Sequence, residues 1–513
     1  MTSSPMSHVL MVSIPAWGHL RPLCVLAARL VSERDNVLIT FLTPPNMFQK
    51  SRSEIDRQFG SGSPAIKRIR LLSISQFTDP KDLMAVFGLL VQAYPGAYET
   101  LAQGKSITCS TTGTSFDPAP APVVVILDFF LLESLKATRA LSGRSVPIIS
   151  WITGSASSFI RFWGPESRGG MGDLPGKIDA EVARTNKSPV EVGEKLLKHA
   201  NGSVVKLPGL PPMYDYEFHP QKLAFEIPMS MILIAAHEFL ADSDGIMIAS
   251  ADAYERESLD AVRAWFGEMQ KPVYVVGPLL PAGYAAQSDV NEWNANIADF
   301  LSNMLEKHGR RSVLFISFGT VFWPATPEYV EELIEALLEK NVPFILAHAS
   351  PFARISAELS DKVKASGLGM LTPWSPQQFI LNHPATGWFL THGGHGGVTE
   401  SLGSGIPLIC WPFDADQPAA AAHVSQNLKA GFELIEVRTG LGLNPVYRLG
   451  GEVPKGNREA VGAEIRRVLD ACRGPEGEEL RRNAERLKGE FAAAWEEGGP
   501  AKATLRGFLE KYV

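Results

Sequence analysis

Residues Trp374 to Gln417 read WSPQQFILNHPATGWFLTHGGHGGVTESLGSGIPLICWPFDADQ. Two short apolar runs in this segment, Thr386 to Leu390 and Pro407 to Trp411, are bounded by Gly, Pro and His, which is the pattern of buried parallel strands. Between them lies Gly394 to Ser404, where Val398, Ser401 and Leu402 are spaced to face a sheet. The order is therefore strand, glycine-rich turn, helix, strand, the unit from which doubly wound α/β sheets are built. At the carboxyl edge of such a sheet, free backbone N–H groups and the positive end of the helix dipole make a docking place for a pyrophosphate.

The side chains around this unit fit one elongated ligand. His392, just before the turn, is placed to donate to a phosphate oxygen, and Gly393, Gly394, Gly396 and Gly397 let a ligand approach the backbone. Glu400, in the first helical turns, suits the two hydroxyls of a ribose better than a phosphate. Trp374 offers a flat face to a base. Asp416 and Gln417, at the end of the next strand, present acceptors and donors where sugar hydroxyls would lie. A nucleotide sugar meets these groups in that order.

The segment resembles the signature box of the UDP-dependent glycosyltransferases that act on small molecules, and the spacing fits throughout. The resemblance implies that Trp374 stacks on uracil, that the Ser375 backbone and Gln377 meet the uridine, and that Glu400 holds the ribose. It places His392, Gly394, His395, Gly396 and Gly397 around the diphosphate and Asp416 and Gln417 on the sugar. Plant members carry Cys, Trp, Asn and Ser where this chain has Gly393, His395, Gly396 and Gly397. The HGGxGG form is closer to bacterial and animal relatives and replaces side-chain contacts to phosphate by backbone ones. A terminal Gln like Gln417 goes most often with glucose in the family, so UDP-glucose is the expected donor.

The N-terminus carries the second informative pattern. His8 to Ile14 is strand-like, Pro15 to Pro22 reads as a loop, and Leu23 to Glu33 has helical Leu, Val and Ala spacing. A histidine on the loop after a first buried strand projects at the ligand edge of a sheet. An imidazole titrates near neutrality and is able to take a proton from an attacking hydroxyl. The family places its catalytic base in a Gly-His-x-x-Pro of this kind, here Gly18-His19, and its partner carboxylate after a strand such as Val123 to Leu127, here Asp128. By the same resemblance Gly18, Thr153 and Thr320 border the donor. Phe129, Phe159 and Trp163 are the candidate acceptor contacts among a wider aromatic set.

Composition agrees with a large enzyme. At 513 residues the chain exceeds the range of a single core, and 45% hydrophobic with 20% charged residues is ample for two. A net charge of −7 argues against a dedicated nucleic-acid binder. Cys24, Cys109, Cys410 and Cys472 have no C-x-x-C spacing and read as free thiols of a reducing compartment. No apolar run reaches the length of a membrane span. The best candidate, Met229 to Leu240, is broken by His237 and Glu238. The first residues lack the basic stretch of a signal peptide. A cytoplasmic monomer is expected.

Strand-like runs at Val9 to Ile14, Val37 to Leu42, Ile66 to Leu72, Val123 to Leu127 and Pro147 to Trp151 alternate with helical patterns, as in a parallel sheet. Val273 to Pro281 reads as the crossing to a second half, followed by a Gly, Ala, Gln and Asn-rich loop, and Ser312 to Thr320 begins a second sheet. Ser106 to Pro122 is a Ser, Thr and Pro-rich loop. The resemblance implies an α/β protein with two doubly wound Rossmann-like domains facing across a cleft, the GT-B arrangement. Residues 1–275 would bind acceptor, 276–499 would bind the UDP-sugar, and a last helix in 500–513 would pack back on the first domain.

Each assignment has a plainer competitor. His19 would merely cap a turn, Asp128 would cap the helix after its strand, Thr153 would be a β-former and the aromatics would be core. His383, His392 and His395 lack the converging ligands of a metal site, so neither metal nor other cofactor is expected. A hydrolase would need G-x-S-x-G, and a dinucleotide oxidoreductase would need G-x-G-x-x-G after the first strand. Neither motif is present. A UDP-sugar-binding protein without transferase activity, an epimerase and a glycan-elongating transferase are the alternatives on the same architecture. The expected reaction is an inverting, metal-independent transfer from the UDP-sugar to a small hydrophobic or phenolic acceptor.

Overall fold

The computed structural model describes residues 5–60, 62–76, 83–223, 229–280 and 295–513. The loop expected after Pro281 lies outside the described residues. Seven strands form the first sheet: β1 (Ser7–Val12), β2 (Val37–Leu42), β3 (Ile69–Leu72), β4 (Pro122–Asp128), β5 (Ile148–Ile152), β6 (Gly245–Ile248) and β7 (Val273–Val275). Six form the second: β8 (Val313–Ser317), β9 (Phe344–Ala347), β10 (Gly369–Thr372), β11 (Thr386–Thr391), β12 (Leu408–Cys410) and β13 (Gly431–Glu433). Spatial order is β7-β6-β5-β4-β1-β2-β3 in one and β10-β9-β8-β11-β12-β13 in the other, with parallel pairing throughout both. The fold is therefore α/β with two doubly wound sheets.

Burial explains why these runs became strands. Every residue of β2 and β8 is buried, as a parallel sheet covered by helices on both faces requires. Along β8, Leu314 and Ile316 enter one apolar layer and Val313 and Phe315 the other, the two-residue alternation of a pleated strand. In each sheet the strand order reverses at one point, between β1 and β4 and between β8 and β11. At the carboxyl ends of these pairs Val12 lies beside Leu127 and Ser317 beside Thr391. The crevice outside such a reversal is where open α/β sheets bind ligands.

Three local expectations change. Ile66 to Arg68 belongs to a short 3₁₀ turn, Pro64–Arg68, because Pro64 fixes φ and starts a turn ahead of β3. The Ser106 to Pro122 segment contains a small antiparallel pair, Ile107–Thr108 with Ser115–Phe116. The first helix spans Trp17–Glu33, so His19 stands in its first turn and not on a loop. Pro22 lies inside that helix but near its start, where only the Gly18 carbonyl forfeits an intrahelical partner.

The two halves are joined in several places. The last helix, Pro500–Tyr512, buries Leu505, Phe508 and Leu509 in the core of the first sheet. Trp495, just before it, donates from Nε1 to the Pro278 carbonyl at 2.6 Å and lies under the Arg29 guanidinium, 3.8 Å from its ring. A buried ionic cluster joins Glu217 to Glu433, Arg438 and Arg448: Arg438 is 2.9 Å from Glu433, and Arg448 donates to both carboxylates. The four cysteines are free thiols. Among the described residues no helix is long and apolar enough to cross a membrane.

Candidate functional site

Asp128 ends one of the two strands that flank the reversal of the first sheet, and His19 lies in the helix that follows the other. Asp128 ends β4, is fully buried, and accepts from His19 Nδ1 at 2.8 Å. Its Oδ2 also receives the Ser13 hydroxyl at 3.2 Å, and its Oδ1 the Phe130 N–H at 3.3 Å. The His19 ring is 22% exposed and its backbone carbonyl accepts from Trp151 Nε1 at 3.1 Å, which anchors the helix start to β5. With Nδ1 turned to the carboxylate, Nε2 is the ring nitrogen left facing outward. That is the arrangement of a base whose tautomer and orientation are set by a buried acid.

The aromatic residue beside this pair is Phe130, whose ring centroid is 5.7 Å from that of His19. Phe129, Phe159 and Trp163 are instead buried against one another, with centroid separations of 4.9 to 6.2 Å. Phe159 also packs on Trp265 and Phe266, and Trp163 donates to the Leu233 carbonyl. These three are core residues that support Phe130, because the turn after β4 sends residue 129 inward and residue 130 toward the cleft side. Thr153, just after β5, is buried as well.

The second sheet contributes the opposite wall. Helix His395–Ser404 starts at the carboxyl end of β11 with Gly394 as its N-cap and no side-chain cap. The His395 N–H is taken by Asp416 Oδ2 at 2.9 Å, so the turn amides left for an anion are those of Gly396 and Gly397, which have no intrahelical acceptor by position. A Cβ at Gly396 would meet nothing within 4 Å, so that side is open to a ligand. His392 sits between two glycines that make room for it. A Cβ at Gly319 would come within 2.9 Å of its ring, and one at Gly394 within 2.6 Å of Nε2. Burial pushes the His392 imidazole down to about 4, against the raising effect of the Ser317 carbonyl, so near neutrality the ring is uncharged and carries a single N–H, for which a ligand oxygen would compete with that carbonyl. Thr320 follows β8 at this edge and is exposed.

At the far end Trp374 is 40% exposed, and its carbonyl is held by Thr372 Oγ1 at 2.6 Å. Ser375 leads into helix Gln377–Asn382, where Gln377 Nε2 donates to Glu400 Oε2 at 2.7 Å. At the near end Gln417 is 2% exposed. Its Oε1 accepts from the Phe413 N–H at 2.9 Å and the Asp414 N–H at 3.4 Å, so its amino group is what it has left to offer. Burial raises the Asp416 carboxyl, while the His395 amide and the charge of nearby His19 lower it. His395 points away from the turn amides: both ring nitrogens lack a hydrogen-bond partner among the described residues, and the ring meets Tyr254 edge-on at 5.7 Å. Among the described residues no group of three or more His, Cys, Asp or Glu is placed to hold a metal ion.

Sequence reasoning missed Arg21 and Glu54. Arg21 Nη1 donates to Glu400 Oε1 at 2.8 Å and its Nε is 3.3 Å from Glu54 Oε2. The available signal was Glu54 itself, which shares the buried stripe of helix Phe48–Arg57 with Phe48, Ser51 and Ile55. A carboxylate on an apolar stripe implies a buried partner.

Comparison with known proteins agrees with this geometry. Residues 248–439 match the family model described as "UDP-glucoronosyl and UDP-glucosyl transferase". The chain is 31% identical over 523 residues to the UDP-glycosyltransferase eriJ of Hericium erinaceus, covering 98% of both chains. Its fold is that of a UGT transferase from Siraitia grosvenorii solved with UDP, with a TM-score of 0.70, 20% identity and 99% of both chains covered. It is also that of Phytolacca americana UGT2 complexed with UDP-2fluoro-glucose and pterostilbene, with a TM-score of 0.68, 21% identity and the same coverage. An end-to-end match at that level of identity, with the family model lying on the half that carries the glycine turn, shows that this chain belongs to the UDP-glycosyltransferases, enzymes that move a sugar from a UDP-sugar to an acceptor.

Proposed function

We propose that the enzyme moves glucose from UDP-glucose to a hydroxyl of a small apolar or phenolic molecule, with inversion at the anomeric carbon. The observation that carries this reading is the 2.8 Å pair of His19 Nδ1 and buried Asp128, set at the reversal of one sheet with the donor box on the other. Residues 1–275 with 500–513 take the acceptor, and 276–499 take the donor. His19 Nε2 removes the hydroxyl proton as the oxygen attacks the anomeric carbon from the face opposite UDP. The bond from that carbon to the β-phosphate oxygen breaks in the same step, and Asp128 balances the imidazolium. The negative charge gathering on the departing UDP meets the His392 N–H, the amides of Gly396 and Gly397 and the helix dipole. Gly18, Thr153 and Thr320 border this path.

Trp374, Ser375 and Gln377 hold the uridine, Glu400 the ribose, and Asp416 with the Gln417 amino group the glucose. The complex of the Phytolacca americana protein with UDP-2fluoro-glucose and pterostilbene supports both the donor and the acceptor class. Mass spectrometry of the enzyme with a panel of UDP-sugars and a pool of phenols, flavonoids, terpenoids and sterols, with EDTA present, is the test. The expected result is a gain of one hexose, with UDP-glucose preferred. A product formed only with another UDP-sugar refutes the glucose assignment, and a requirement for a divalent cation refutes the metal-independent departure of UDP.

A further inference from the structure

Two residues beyond His19, helix Trp17–Glu33 presents an arginine to the nucleotide side of the cleft. Arg21 joins Glu400, 2.8 Å from Nη1, to Glu54, 3.3 Å from Nε, and the three side chains are 12%, 11% and 3% exposed. Glu400 belongs to the donor box, whereas Arg21 and Glu54 belong to the first sheet's layer of helices. Gln377 occupies the second oxygen of Glu400 at 2.7 Å. Thus Gln377 fixes this carboxylate from its own half and Arg21 fixes it from the other half. A guanidinium suits this place because its planar fork reaches two carboxylates at once.

We infer that Arg21 is a positioning residue for the donor: from the acceptor half it fixes the Glu400 carboxylate on which the ribose hydroxyls dock, so that the uridine site is complete only when both halves are in place. This rests on the reading of Glu400 as the ribose contact. Ribose hydroxyls donate well to a carboxylate and poorly to a protonated carboxyl, which has given up one acceptor. The groups facing Glu400 are Arg21 on helix Trp17–Glu33, Glu54 on helix Phe48–Arg57 and Gln377 on helix Gln377–Asn382. Burial raises the Glu400 carboxyl and Glu54 adds to the rise, while Arg21 and Gln377 oppose it. Without Arg21 the opposing share shrinks and Glu400 holds its proton to higher pH. Donor affinity is then lost first at low pH and recovered at high pH.

Calorimetry of UDP-glucose binding to Arg21→Gln and the native enzyme, at about pH 6 and about pH 9, tests this. The ratio of dissociation constants, variant over native, is expected to be about tenfold or more at the lower pH and to fall within about threefold at the higher. The double variant Arg21→Gln/Glu54→Gln also neutralises the buried carboxylate that shares Arg21, and because Glu54 itself raises Glu400 it shows the same trend more weakly. Glu400→Gln separates the two readings. Unchanged affinity in that variant refutes the ribose contact and the inference with it. A weakened Glu400→Gln beside an Arg21→Gln ratio that is equal at both pH values, or close to one at both, overturns the role of Arg21 and leaves the ribose contact standing.

Discussion

Replacing Asp128 by Asn probes the proposed base without changing its volume. Asp128 has one oxygen serving His19 Nδ1 and the Ser13 hydroxyl and another serving the Phe130 N–H. Asparagine supplies an oxygen at only one of these two positions. The Ser13 hydroxyl is able to rotate toward the Ile14 carbonyl, 3.4 Å away, but the Phe130 N–H has no such freedom. The amide therefore keeps its oxygen on Phe130 and turns its NH₂ to His19. Nδ1 must then accept, and the ring proton moves to Nε2, the nitrogen that has to take the acceptor's proton. Loss of a general base is worth roughly 10²–10⁴ in rate, or about 3–5.5 kcal/mol of barrier. A fall of kcat within that range is expected in single-turnover transfer assays, with the UDP-glucose Kd held within about twofold by calorimetry. A kcat within about threefold of the native value, or a loss carried wholly by donor affinity, refutes the reasoning.

Three further outcomes follow from the same geometry. His19→Ala should lose at least about a hundredfold in turnover while still binding UDP, and full activity would remove His19 from the mechanism. Gly394→Ala has an unstrained backbone, with φ at −61°, but places its Cβ 2.6 Å from His392 Nε2, so the ring is displaced and kcat/KM for UDP-glucose falls roughly tenfold or more. Burial pushes the Glu255 carboxyl up to about 7 from 4.5, against donation from Ser250 and the Ala156 and Ser157 amides. The folded state then holds a proton that the unfolded state has released, so this group's contribution to stability is full below about pH 4.5 and is lost as pH rises through about 7, by up to roughly 3 kcal/mol. Urea titrations at about pH 5 and about pH 8 should show that decline in the native chain and a smaller one in Glu255→Gln.

What the sequence discloses is governed by how local each signal is. The turn from β11 into helix His395–Ser404 is announced by consecutive glycines between an apolar strand and a helical pattern, all within a score of residues. Short strands such as β6 and β13, with four and three residues, carry too little alternation to stand out from neighbouring apolar helix. The start of the first helix at Trp17 was obscured by Pro22, which reads as a breaker although the helix runs through it at the cost of the Gly18 carbonyl's bond. Phe129 and Phe130 differ only in which way a tight turn sends them, a matter of φ and ψ that adjacent aromatic letters do not encode. The Arg21–Glu400 pair joins positions 379 residues apart, and only the folded arrangement of both sheets brings them into register.

The bond from Trp495 to the Pro278 carbonyl has a mechanical consequence. The chain passes between its halves twice, once beyond β7 and once before the last helix, and this bond fastens the two passages to each other, with Arg29 stacked on the same indole. Two connectors pinned at one point are held in register with each other where the chain crosses between its halves, so a change in either connector is felt by the other.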